Sequence, residues 1–367
     1  MKYIYQNNDW PNFFWDKERI FQLLSEIKKS QGYLLGQMSQ IGFSIKNQTL
    51  LQILTESIVK SSEIEGDLLN IDHVRSSVAR RLGIDSEPNF PVNKNIDGAV
   101  DIMIDSIKNR NKIMTKERLF GWQAALFSTG YSGIYKIETG QYRTDAHGIM
   151  QVISGYIGAE KIHYEAPADE YLEKEMANFL QYVNQNDNTD LLIKAAIVHL
   201  WFVTLHPFED GNGRIARALT EMFLAKSDDC DFRFYSLTSQ IMKHRKEYYD
   251  ILESTQKNSM DITSWICWFL KTLHLAIQAS NLILSKVLKI SEFWMKHTHI
   301  IFNLRQKKVL NKFLDNFNGK LTSTKWAKIC NCSQDTASRD INDLLEKGVL
   351  EKIGHAKNTH YILKTQD

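Results

Sequence analysis

Twelve consecutive positions of the chain bring together His206, Asp210, Gly211, Gly213, Arg214 and Arg217, residue types that together can handle a phosphate. Gly211 and Gly213 free the backbone for conformations barred to other residues, so that consecutive N–H groups can converge on an anion. A helix starting just after the loop would aim its unpaired N–H groups and the positive end of its dipole at the same point. Arg214 and Arg217, three apart, fall on one face of that helix and can neutralise further phosphate oxygens. Asp210 adds a hard oxygen ligand suited to Mg²⁺ shared with phosphates. His206, at the far end of the loop, has an intrinsic pKa near neutrality and is the natural general base. Taken singly, a His after an apolar helix is ordinarily a core residue and Asp-Gly-Asn-Gly an ordinary turn. Their conjunction favours a phosphate site.

Such a loop needs a stiff frame, and the pattern supplies one. With five prolines in 367 residues and apolar positions recurring at three and four, the expected fold class is mainly α. Residues 192–205 read as a buried apolar helix leading into His206, and 215–225 as the helix leaving the loop. Earlier helices fill residues 15–66; the clearest, 49–65, shows one apolar face of Leu50, Leu51, Ile53, Leu54, Ile58 and Val59. Leu82-Gly83 closes another. The stretch 85–93, with Pro88 and Pro91, reads as a linker or as a loop within one compact unit. From residue 134 to about 158, Gly140, Gly148, Gly155 and Gly158 punctuate short segments such as 149–153, which suggests a β-hairpin standing apart from the helices. Helices resume and cover 263–291.

The length, at roughly 150 residues per domain, gives two or three domains. Hydrophobic residues at 43% and charged ones at 24% can build an ordinary globular core and exclude disorder across the chain. A net charge of +2 means that any polyanion-binding patch must be local. Four cysteines are too few for a disulfide scaffold, and Cys330 with Cys332 lacks the second pair a zinc site requires, so a reducing compartment is expected. Residues 1–15 show no leader pattern and no run reaches ~18 apolar residues, so the expectation is a soluble cytoplasmic protein with no membrane partner.

From Ile300 to the end, twelve Lys and Arg face seven Asp and Glu, a net of +5. Helices at 305–317 and 323–329, a turn at Cys330-Asn331-Cys332, and a helix capped by Ser333 and closed by Gly348 form a helix-turn-helix pattern. Segments 349–353 and 359–363 flank a turn, and the whole resembles a winged helix. On DNA, Gln334, Ser338 and Arg339 would face the major groove and His355 and Lys357 would touch phosphates. The modest charge and the acidic residues around the recognition helix favour protein docking or dimerisation over DNA.

The segment from His206 to Arg217 resembles the signature of Fic-domain proteins, His-Pro-Phe-x-(Asp/Glu)-Gly-Asn-Gly-Arg-x-x-Arg, at every defined position. The resemblance implies a Fic-type helical core with a small hairpin flap, and transfer of AMP from ATP to a Tyr, Thr or Ser hydroxyl of a target protein, with Mg²⁺ as cofactor. By position it implies that His206 deprotonates the acceptor and Asp210 holds the metal. Gly211, Asn212 and Gly213 would bind phosphates, with Arg214 and Arg217 anchoring the outer ones. Gly140-Gln141-Tyr142-Arg143 and Met150-Gln151-Val152-Ile153 resemble the flap, with Gln151 and Val152 receiving a target segment by strand addition. Tyr248 and Tyr249 resemble aromatic positions near the nucleotide, Tyr249 being the expected contact. Gln123 follows Trp122 where relatives often carry a His.

Glu63 and Glu65 fall at the apparent end of an apolar helix, where the dipole disfavours each by about 0.3–1 kcal/mol, so a cation should offset them. Ser62 with Glu65 would fit a capping box that starts a helix, whereas Gly66 favours a helix end. The same segment resembles the Fic inhibitory motif, (Ser/Thr)-x-x-x-Glu-(Gly/Asn), through Ser61, Glu65 and Gly66. That implies a Glu65–Arg217 pair holding ATP unproductively. The expected division is a helical region at 1–90, a Fic core at 91–295 and a winged-helix module at 296–367. Self-modification and a homodimer fit the same reading. The rivals are removal of AMP from modified proteins, with Glu65 orienting water, and a DNA-binding regulator whose core senses nucleotide.

Overall fold

The computed structural model describes residues 2–364 other than 40, 85–89, 92, 147, 156–158, 160, 232, 318, 356 and 357. Most of the expected linker, together with Gly158 and Lys357, therefore lies outside the described residues. The chain divides into two compact units, Met1–Ser280 and Asn281–Asp367.

In the first unit the chain runs through α1 (Lys17–Ser39), α2 (Phe43–Ile64), α3 (Ile71–Leu82), α4 (Lys94–Lys108) and α5 (Lys116–Leu126). Two short hairpins follow, β1 (Tyr131–Ser132) with β2 (Tyr135–Lys136), and β3 (Gln151–Ser154) with β4 (Lys161–Glu165). Then come α6 (Asp169–Asn184), α7 (Leu191–Leu205), α8 (Asn212–Asp228), α9 (Leu237–Lys243), α10 (Arg245–Gln256) and the part of α11 (Thr263–Lys296) up to residue 280. The fold is mainly α, as the periodicity predicts. Side-chain caps set several starts: Asn70, Asn93, Thr115 and Asp190 each accept from the first-turn N–H groups of their helices.

α7 has no polar face, since Leu192 through Leu205 are all buried; it is a central helix rather than a surface one. α8 packs along it and is itself largely buried. Leu50, Leu54 and Ile58 of α2, Val78 of α3, Val100 and Met103 of α4, and Ala225 of α8 share one cluster. Burial of each larger side chain contributes about 1.5–3 kcal/mol. That shared core explains why the expected boundary near residue 90 does not separate two bodies: the N-terminal helices complete the packing around α8. α4 and α5 cross at Gly98, where a Cβ would overlap the Ala125 carbonyl.

The hairpin differs from expectation in its partner strand. β3 pairs antiparallel with β4, Gln151 opposite Glu165 and Ser154 opposite Lys161, with an irregularity between Val152 and Ile153. The segment 140–143 is not a strand; its Arg143 N–H donates instead to the Pro207 carbonyl at 2.9 Å.

The second unit, which takes in α11 from residue 281 on, holds α12 (Leu304–Asn316), α13 (Ser323–Cys330), α14 (Gln334–Glu346) and the antiparallel pair β5 (Leu350–Ile353) with β6 (His360–Leu363). Its core is Val309, Leu310, Leu321, Trp326, Ile341 and Leu344. Asn331 takes the left-handed conformation in the turn and Ser333 caps α14, in the order the sequence predicts. The unit begins at residue 281, before the expected 296. Gln334, Ser338 and Arg339 are exposed on α14. Among the described residues no helix is long and apolar enough to cross a membrane.

Candidate active site

α7 ends at His206, whose backbone turns left-handed (φ 48°) while its N–H still donates to the Phe202 carbonyl at 3.0 Å. The chain leaves the helix sharply and leaves the imidazole at the mouth of the loop. His206 Nδ1 lies 3.4 Å from the Val203 carbonyl, which can only accept, so the proton belongs on Nδ1 and Nε2 is free to take another. Burial holds the imidazole pKa down to about 4, so the ring is neutral near pH 7.

The loop is held by its own side chains. Asn212 accepts from the Phe208 N–H at 3.0 Å and donates to the Phe208 carbonyl at 2.7 Å, closing the turn over the fully buried Phe208 ring. The Asn212 side chain thus closes the loop, while its backbone N–H stands among the first-turn N–H groups of α8. Gly211 takes a φ of +90° beside Leu126 and Phe127, a conformation that favours glycine. Gly213 is different from expectation: it lies within α8, and what it provides is space rather than an unusual φ.

Two residues outside the motif brace it. Buried Arg143 donates to the His206 carbonyl at 2.8 Å and the Pro167 carbonyl at 2.5 Å, and pairs with Asp145 at 2.5 Å. Gln123 is fully buried and clips the approaching chain, accepting from the Gly140 N–H at 2.7 Å and donating to the Glu138 carbonyl at 3.3 Å. Spacing gave no sign of either role; the sequence showed only Gln123 after Trp122 and Arg143 in a segment resembling the flap.

Asp210 is partly exposed, accepts from the Gly211 N–H at 2.5 Å and from the Ser132 hydroxyl, and stands 3.8 Å from Arg214. Among the described residues no group of three or more His, Cys, Asp or Glu could hold a metal unaided. One accessible carboxylate beside a phosphate cradle fits Mg²⁺, which binds through one or two carboxylates plus substrate phosphates. Arg214 stacks on Phe127 and lies 3.5 Å from Asp67.

α2 ends opposite this loop. The Asp67 N–H donates to the Ser62 carbonyl and the Gly66 N–H to the Glu63 carbonyl, each at 3.0 Å, with Gly66 at φ +88°; this is a Schellman helix end, so Gly66 and not a capping box decides the local structure. Both carboxylates find cations, Glu63 at Lys60 (2.6 Å) and Glu65 at Arg217 (2.7 Å). Arg217 is 1% exposed and also donates to the Ser61 hydroxyl at 2.8 Å and the Ser61 carbonyl at 2.7 Å. A Cβ at Gly213 would overlap Glu65 Oε1. The Tyr249 hydroxyl lies 3.4 Å from Glu65 Oε2, and both Tyr249 and Arg245 donate to the Ile64 carbonyl, at 3.2 and 2.8 Å. Tyr248 is buried and bonded to His199 at 2.8 Å, a packing role.

Glu65, Val152, His206, Gly213 and Tyr249 line one cleft of ≈ 730 Å³ between the β3–β4 hairpin and α10. Gln151 is exposed on the same hairpin. Residues 113–224 match the family described as Fic/DOC, and residues 3–84 match a domain of unknown function, DUF4172. Residues 113–224 are a Fic domain. The chain is 24% identical over 217 residues to a protein adenylyltransferase Fic of Nematostella vectensis, covering 58% of this chain and 45% of that one. It is 24% identical over 202 residues to a protein adenylyltransferase Fic of Culex quinquefasciatus, covering 54% and 36%. The chain thus spans less than half the length of these relatives. A crystal structure of a Fic family protein from Desulfovibrio desulfuricans matches with a TM-score of 0.54 at 18% identity over 96% of this chain and 98% of that one, a likeness of fold. The Fic domain ends within α8, while Glu65 belongs to the segment matched by DUF4172.

Proposed function

We propose that the chain is a protein adenylyltransferase that its own Glu65 restrains. The observation that carries the reading is the Glu65–Arg217 ion pair, made across Gly213 at the head of α8 in the cleft that His206 enters. In the proposed reaction an acceptor hydroxyl loses its proton to His206 Nε2 and its oxygen attacks the α-phosphorus of ATP. The bond from that phosphorus to the bridging oxygen breaks, and diphosphate leaves. Gly211, Asn212 and Gly213, at the N-terminus of α8, would cradle phosphates, and Arg214 and Arg217 would take the outer ones. Mg²⁺ held by Asp210 would supply neutralising charge on the phosphates. Positioning and charge stabilisation provide most of the rate in such displacements.

With Glu65 on Arg217, the guanidinium expected to receive the outer phosphate is occupied, and a carboxylate stands where that anion would lie. Gln151 and Val152 on β3 would present an exposed backbone edge to a target segment. The second unit fits a docking or dimerisation module, and the net charge of +5 from residue 300 onward leaves DNA as the competing partner. A second reading, removal of AMP from a modified protein, draws on Glu65 and His206 lining one cleft, where the carboxylate could orient water.

Incubation with α-labelled ATP, Mg²⁺ and a cell lysate tests the proposal. Label on lysate proteins should be low for the unmodified chain, rise in Glu65→Gly and vanish in Glu65→Gly/His206→Ala. No label in any of them sinks the transferase reading. Release of AMP from modified proteins that depends on Glu65 would establish the second.

A further inference from the structure

Outside the motif, the same cleft contains a hydroxyl wired for deprotonation. Ser154, the last residue of β3, lies 2.5 Å from Nε2 of His163 on β4, and His163 Nδ1 lies 2.5 Å from Glu253 Oε2 on α10. Lys257 fixes the other carboxylate oxygen at 2.6 Å. The arrangement runs hydroxyl, imidazole, carboxylate, with the carboxylate itself anchored by a cation. It is the geometry that orients an imidazole to accept a hydroxyl proton. Burial would raise the Glu253 pKa, but the bonds from Lys257 and His163 outweigh it and hold the carboxyl down to about 2, so it is ionised and accepts from Nδ1–H. Ser154 is exposed, and Ser154, His163 and Glu253 line the cleft together with Glu65 and His206.

We infer that Ser154 is an acceptor for the chain's own AMP transfer, in cis, with His163 as its base. The inference rests on the transferase reading above. The Ser154 oxygen bonds to the α-phosphorus of ATP, the bond to the bridging oxygen breaks, diphosphate departs with the electron pair, and the hydroxyl proton passes to His163 Nε2. The product is a phosphodiester on the strand that edges the cleft. AMP fixed there would occupy the space next to β3, so the modification would also limit later turnovers.

The test is peptide mapping of Glu65→Gly protein after incubation with ATP and Mg²⁺ in the presence of lysate. The expected result is AMP on the peptide carrying Ser154, with a rate per molecule independent of protein concentration. His163→Asn and Glu253→Gln, on different elements so that one local folding defect cannot explain both, should each slow labelling of Ser154 by about ten-fold or more. Lysate proteins labelled with Ser154 unmodified, or Ser154 labelled equally fast in both variants, overturns the inference and leaves the transferase standing. No label on any protein overturns the transferase reading and this inference with it.

Discussion

Glu65 Oε1 stands 2.7 Å from Arg217 Nη1, and the same oxygen fills the volume that a side chain at residue 213 would need. The carboxylate is thus held between a buried cation and a glycine, and both relationships can be broken separately.

Glu65→Gly removes the carboxylate and leaves Arg217 buried with the uncharged Ser61 and Tyr248 groups beside it. A charge-assisted bond of this type contributes about 1.5–3 kcal/mol, so urea unfolding should show a loss of that order alongside the gain in transfer. ATP should then raise the Tm of Glu65→Gly more than that of the unmodified chain, because an anion can replace the lost one. Equal shifts in the two proteins would argue against occupation of the same guanidinium.

Gly213→Ala forces a methyl group into the Glu65 carboxylate. Overpacking of this kind costs about 1–3 kcal/mol. In the Glu65→Gly background the same substitution should cost much less, and a double-mutant cycle on unfolding free energies measures the difference. Additive effects would mean that the clash is with something else.

Arg143→Ala deletes the guanidinium that donates to the His206 and Pro167 carbonyls. Transfer by Glu65→Gly/Arg143→Ala should fall chiefly in kcat, since the base is misplaced while the phosphate loop keeps its Asn212 staple. Arg143→Lys should not restore it, because one ammonium cannot reproduce the fork to two carbonyls and Asp145.

The pH dependence follows from His206, whose pKa burial pushes down to about 4. A general base works only when unprotonated, so the acid limb of kcat/KM should lie well below the ordinary histidine value near 6.5. The same shift affects stability. The folded protein binds this proton more weakly than the unfolded chain, so the associated stability is complete above pH ~6.5 and is lost as pH falls toward 4. His199, pushed down to about 3 by burial, acts in the same sense. Unfolding followed from pH 7 to pH 4 should show the decline, and His206→Asn should flatten part of it.

What the sequence made legible was whatever is carried by neighbours in the chain. The apolar run of α7, the glycine end of α2 and the crowding of chemistry between His206 and Arg217 are all local, and each folds as its spacing predicts. Arg143 is 63 residues from the His206 carbonyl it holds, and nothing within a turn of it signals that contact. The same limit applies to β4 as the partner of β3, to Gln123 as a backbone clip and to Gly213 as room for a carboxylate 148 residues away. These depend on which surfaces meet after folding, and periodicity reports only which surfaces are apolar. Asn212 carries a second task that spacing did not show, its side-chain amide closing the loop over Phe208.

The position of Glu65 one residue beyond the last turn of α2 has a dynamic consequence. Helix ends open locally at lower free energies than buried helix interiors such as those of α7 and α8. The Glu65 carboxylate therefore sits past a helix end, while the Arg217 it pairs with lies within buried α8. Breaking the Glu65–Arg217 pair would thus call for a local change at the end of α2, with α7, α8 and the loop between them keeping their shape. The ion pair thus joins two tiers of local stability within a single core.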